Sequence, residues 1–105
     1  MSSQTNEITR SVLNFLFEKK IFAWRANTTG ISLPDGRFRP AAKTGISDIL
    51  AVLPPNGRLL AIEIKTGRDR LRPEQEGFLK NIEAMGGIFL IVHNYQEFLD
   101  LFSNL

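Results

Sequence analysis

Cysteine is absent from the 105-residue chain. That excludes a disulfide framework, a thiolate zinc site and cysteine nucleophile chemistry. Long apolar runs are missing as well, and none approaches the roughly 20 residues of a membrane-spanning helix. The first residues, Met1-Ser2-Ser3-Gln4-Thr5-Asn6, lack the charged and apolar blocks of a secretory signal. The expectation is a cytoplasmic protein with no membrane partner. A strong charge of one sign is also lacking, with 13 Lys and Arg against 11 Asp and Glu, a net +2. Composition alone therefore does not mark a nucleic-acid binder. There is a single histidine, His93, behind an apolar run, and it reads as structural.

What is present fits one domain spanning residues 1–105. The apolar fraction, 43%, is ordinary for a globular chain. Ile8, Val12, Leu13, Leu16 and Phe17 share a helical stripe between about Thr5 and Lys20. Ser3 or Thr5 would cap that helix, and Glu7 would lie in its first turn, where the dipole favours an acid. Ile21 to Ile31 reads as extended, with Phe22, Trp24 and Ala26 on one face. A loop of about 18 residues, Thr28 to Gly45, follows with a Pro34-Asp35-Gly36 turn. Two apolar strands, Ser47–Leu53 and Arg58–Lys65, flank Pro54-Pro55-Asn56-Gly57 and make a hairpin. A helix over Glu74–Met85, with Pro73 at its start and Gly86-Gly87 as its stop, leads to a buried strand at Gly87–Val92. Tyr95–Phe102 closes the chain as a helix capped by Asn94. The order α-β-β-β-α-β-α predicts an α/β fold. Its mixed central sheet is an antiparallel hairpin extended by a parallel crossover, flanked by helices.

The hairpin concentrates the chemistry. A four-residue turn puts Asp48 opposite Glu63, whereas a two-residue Asn56-Gly57 turn puts Asp48 opposite Lys65. In either register Asp48, Glu63 and Lys65 share one sheet face, because side chains alternate with period two. Opposed carboxylates destabilise a sheet and need compensation. Lys65 supplies part of it, and a hard divalent cation such as magnesium or manganese would supply the rest. The bland alternative is a salt bridge of Glu63 with Lys65 or Arg25, with Asp48 capping a turn. Gln75 falls on the apolar, sheet-facing side of its helix with Phe78, Leu79 and Ile82, where its amide needs partners. Two basic clusters flank the hairpin in sequence, Arg37, Arg39 and Lys43 before it and Arg68, Arg70 and Arg72 after it. They are candidate contacts to the phosphates of a nucleic acid.

Gly45-Ile46-Ser47-Asp48, Glu63-Ile64-Lys65 and Pro73-Glu74-Gln75 together resemble the VRR-NUC branch of the PD-(D/E)XK nucleases. Ser47 stands where the superfamily name has proline. The resemblance implies a restriction-endonuclease-like core and a metal-dependent DNA endonuclease. Asp48 and Glu63 would hold Mg2+, with Mn2+ able to substitute, and the Ile64 carbonyl would be a further ligand. Lys65 would assist the attacking water, and Gln75 would orient the site. Glu7 would match an acid that often completes the metal site from the first helix. Stand-alone members form homodimers, and some cut four-way Holliday junctions. That implies a homodimer acting on branched or duplex DNA in recombination, repair or phage replication. A non-catalytic nucleic-acid-binding module on the same fold is the alternative.

Overall fold

The computed structural model describes residues 3–27, 31–39 and 45–105, apart from the side chains of Ser3, Ile31 and Arg39. The elements are α1 (Ser3–Glu18), β1 (Phe22–Arg25), β2 (Ile31–Ser32), β3 (Phe38–Arg39), β4 (Ile49–Leu53), β5 (Arg58–Ile64), α2 (Pro73–Ala84), β6 (Ile88–Val92) and α3 (Tyr95–Ser103). The main sheet has the order β1-β4-β5-β6. Its β1–β4 and β4–β5 pairs are antiparallel and its β5–β6 pair is parallel. The expected mixed sheet is therefore present, with α2 as the crossover between its parallel strands.

Each face of the sheet follows from strand alternation. Ile49, Ala51, Leu60, Ile62 and Val92 are fully buried with Val12, Leu16 and Phe98, so α1 and α3 cover one face and form the core. Phe15 stacks edge-on against Phe98 and Phe102, at 5.4 and 5.3 Å between ring centroids, and locks the two helices together. The opposite face carries Trp24, Leu50, Ala61 and Phe89 in register, and α2 packs over its β5–β6 half.

Turn chemistry decided the hairpin register. Leu53 pairs with Arg58, Gly57 donates its N–H to the Leu53 carbonyl at 2.9 Å, and Gly57 takes φ +78°. The loop therefore has four residues, and Asp48 comes opposite Glu63. Strand β4 begins at Ile49 rather than Ser47 because the next rung is made by a side chain. The Ile64 N–H donates to Asp48 Oδ2 at 2.8 Å instead of to a backbone carbonyl.

Several expectations need correction. Helix α1 starts at Ser3, so Glu7 sits in the second turn and the first turn holds no acid. Thr5 lies inside that helix, and its hydroxyl is 3.0 Å from that of Thr66. The helix stops at Glu18 in a Schellman arrangement, with Ile21 N–H on Leu16 O, Lys20 N–H on Phe17 O, and Lys20 itself at φ 60°. A lysine in the left-handed position carries no composition signal, so the periodic pattern ran past it. Phe17, assigned to the apolar stripe, is 81% exposed, while Thr9 is buried with its hydroxyl on the Thr5 carbonyl at 2.8 Å. The long loop also contains a miniature hairpin, β2–β3, around Pro34-Asp35-Gly36. Gly36 closes it at φ +89°, with its N–H on the Leu33 carbonyl. Strands of two residues are too short to show a period. Thr28, Pro40 and Lys43 of that loop lie outside the described residues.

Candidate active site

The last rungs of the β4–β5 hairpin bring two acids together. Glu63 is 2% exposed, and Asp48 beside it is half-buried and open to solvent. Asp48 donates its own N–H to Glu63 Oε1 at 3.2 Å, and its carboxylate accepts from Ile64 N–H through Oδ2 and from the Asn27 side-chain amide through Oδ1 at 3.2 Å. Glu63 Oε2 takes the other contacts, from the Gln75 amide at 2.6 Å and from Lys65 Nζ at 3.4 Å.

Gln75 is held by the start of α2. Arg72 is the N-cap residue, Pro73 follows at the first helical position, and Gln75 is the third. Gln75 Oε1 accepts the Arg72 N–H at 2.9 Å, one of the orphan donors of a helix start. Arginine has no acceptor, so only this half of a capping box exists. With its carbonyl end on the helix cap, the amide must present its NH2 end to Glu63, which suits a carboxylate. Gly45 holds the other side. It adopts φ +81°, and a Cβ there would collide with the Glu74 carbonyl. The stretch before Asp48 therefore runs against the first turn of α2.

Electrostatics leave this cluster short of positive charge. Burial, then the charge of Asp48, push the Glu63 carboxyl up to about 7, and Lys65 only partly opposes them. The bland reading holds in part, because the Lys65–Glu63 ion pair it offered is present at 3.4 Å. Arg25 reaches Asn6 at 3.4 Å and not Glu63, and Lys65 alone does not neutralise two acids.

Of the other candidates, Ile64 and Arg72 touch this cluster through their backbone N–H groups. Glu7 is exposed on α1, and no group of three or more His, Asp or Glu side chains converges among the described residues. Ile64 contributes its N–H to Asp48. Arg37 is exposed and paired with Asp35 at 2.6 Å, the Arg39 side chain and Lys43 are outside the described residues, and Arg68 and Arg70 are exposed. Arg72 is tied to Glu74 at 3.0 Å as well as capping α2. His93 is on the surface, 2.8 Å from Glu97, and takes no part in the cluster. Sequence reasoning missed Asn27. Its position became meaningful only through the β1–β4 register, in which the Ala26 N–H meets the Asp48 carbonyl at 2.8 Å.

A leading helix, a four-stranded mixed sheet and flanking helices make the α/β core of a restriction-endonuclease-like fold. The model of the VRR-NUC domain family matches residues 7–94. The chain belongs to this family, whose members are nuclease domains of the PD-(D/E)XK type. No curated protein and no solved structure gives a significant match. No helix among the described residues is long and apolar enough to cross a membrane.

Proposed function

We propose that the protein is a magnesium-dependent endodeoxyribonuclease that acts on branched DNA as a homodimer. The observation that carries this reading is Glu63, an acid 2% exposed beside a second acid and paired with a single lysine. The donor set fits the ion. Two carboxylates are hard oxygen ligands, and magnesium is commonly held by one or two carboxylates with water and phosphate completing its shell. Asp48 and Glu63 would hold it. The Ile64 carbonyl is a further donor, because in an extended strand C=O and N–H of one residue point the same way, here toward Asp48. Glu7, exposed on α1, does not converge with the two acids into a group of three among the described residues. The ion, when bound, activates water and screens the phosphate charge.

The chain's own groups do the rest. Lys65 Nζ, anchored by Glu63, donates a hydrogen bond to the attacking water or to a nonbridging phosphate oxygen and offsets the charge that builds as the P–O bond breaks. Gln75 fixes the rotamer of Glu63, and Asn27 fixes that of Asp48. Arg68 and Arg70 follow β5 directly and are free to meet neighbouring phosphates, with Arg37, Arg39 and Lys43 on the preceding loop. One site cuts one strand, and a twofold dimer is the simple way to cut two. The test is cleavage of labelled four-way junctions, flaps and duplexes by wild type and Lys65→Ala, with and without magnesium. Cleavage lost in the variant and in chelator supports the reading. Binding without cleavage favours the non-catalytic binding module, and equal nicking by both proteins removes the site from the chemistry.

A further inference from the structure

The face of the sheet that carries the acids does not end with them. Trp24 lies directly opposite Leu50, and Leu50 is two residues from Asp48 on the same side. Same-face rows are roughly 7 Å apart along a strand. Phe22 is one further row out, its ring 5.1 Å from that of Trp24. Helix α2 covers the β5–β6 half of this face, while over β1 Phe22 stays 71% exposed and Trp24 40%. Beyond Phe22 a groove of about 590 Å³ opens, lined by Phe17, Ile21 and Ala23 and by Lys20 and Glu18. On the acid-bearing face two exposed rings thus lie beside the acid pair, and Lys20 and Glu18 border the groove at Phe22.

We infer that Phe22 and Trp24 form a stacking platform for an unpaired or branch-point nucleobase next to the cleavage site at Asp48 and Glu63. This rests on the nuclease reading and names what selects its substrate. Aromatic side chains bind nucleic acid by stacking on base faces, and cations beside them hold the backbone. A continuous duplex hides its base faces, whereas a junction, flap or single strand offers them. The platform therefore favours branched over plain duplex DNA without reading sequence. A nucleobase is preferred to a second copy of the chain as occupant because the rings share a sheet face with the acid pair, one row from Asp48.

Trp24 is the only tryptophan in the chain, so its fluorescence reports the platform directly. The experiment titrates the full chain in chelator with a single-stranded oligonucleotide, a four-way junction and a blunt duplex of equal phosphate content. Saturable quenching by the first two and not by the duplex is expected. Phe22→Ala should weaken the quenching titration about tenfold, the size of one base–aromatic stack. In magnesium, Trp24→Leu should lower the ratio of junction to duplex cleavage about tenfold, while circular dichroism checks its fold. Equal quenching by the duplex, or unchanged affinity in Phe22→Ala, overturns the inference. So does an emission that shifts with protein concentration as the mass doubles, which assigns the rings to a second copy. The two readings fail separately. Wild type that cleaves nothing sinks the nuclease reading, whereas cleavage with undiminished junction preference in both variants sinks only the platform.

Discussion

Removing the buried charge of Glu63 should remove a pH-dependent loss of this protein's stability between pH 5 and 8. In the metal-free fold the Glu63 carboxyl is pushed up from 4.5 to about 7. Its folded value is above its unfolded value, so the folded state holds the proton more tightly. Stability is then lost as pH rises from about 4.5 and levels off above about 7. At 1.36 kcal/mol per unit, a rise of roughly 2.5 units amounts to about 3 kcal/mol. At 2% exposure, Glu63 is too buried for solvent to screen much of this. For a domain of this size about 3 kcal/mol corresponds to a Tm change on the order of 10–20 °C. Glu63→Gln has no such titration. The assay is urea unfolding of both proteins in chelator across pH 5 to 8, reading the difference between them, which cancels the other titrating groups. Wild type should lose about 3 kcal/mol relative to the variant as pH rises. Saturating magnesium should restore that loss in wild type alone. Its apparent affinity should tighten by about tenfold per pH unit up to about 7 and then flatten. A difference that stays flat in chelator, or a magnesium affinity independent of pH, would show that the acids are not competing for one positive charge.

Other substitutions probe single contacts. Asp48→Asn keeps an acceptor for the Ile64 N–H and removes a negative charge, so in chelator at pH 8 it should be more stable than wild type. Asp48→Ala leaves that N–H without its partner and should be less stable by about 1–3 kcal/mol. Both stabilities are read by denaturant midpoint, and equal effects would remove Asp48 from the ladder. Lys20→Gly relieves the φ 60° position and should raise stability by about 1 kcal/mol, read as a higher Tm. Phe98→Ala empties the centre of the aromatic core and should cost about 3–5 kcal/mol, with an unchanged denaturant slope. Gly45→Ala drives a methyl into the Glu74 carbonyl and should slow DNA cleavage at least about tenfold, through displaced Gln75 rather than through unfolding. Wild-type cleavage by that variant would break the link between the loop and the helix start.

Much of the architecture was legible because the signals were local and periodic. Ile88–Val92, the Asn94 cap and the Pro73 start needed only their own neighbours. The pairing of Asp48 with Glu63 needed one more fact, the length of the Pro54–Gly57 turn, and two lengths were open. Where the outcome differed, the deciding contact was distant in sequence or chemically unmarked. Phe17 has the spacing of a core residue, but α1 turns Thr9 and Phe15 inward instead. Lys20 ends a helix without looking like a stop. Asn27 reaches Asp48 only because β1 pairs with β4. Glu63 and Gln75 could be placed on facing surfaces from periodicity, yet their 2.6 Å contact depends on the amide being turned by the cap of α2.

That shared amide gives the site a built-in reporter. Gln75 holds Glu63 with one end and the Arg72 backbone N–H with the other. Any shift of Glu63 toward a bound cation or a proton therefore pulls on the first hydrogen bond of α2. The Arg72 amide proton should consequently change its NMR position and its exchange rate when the site is loaded, although Arg72 touches neither acid. Loading of the site should thus be readable from a helix cap, with no substrate present.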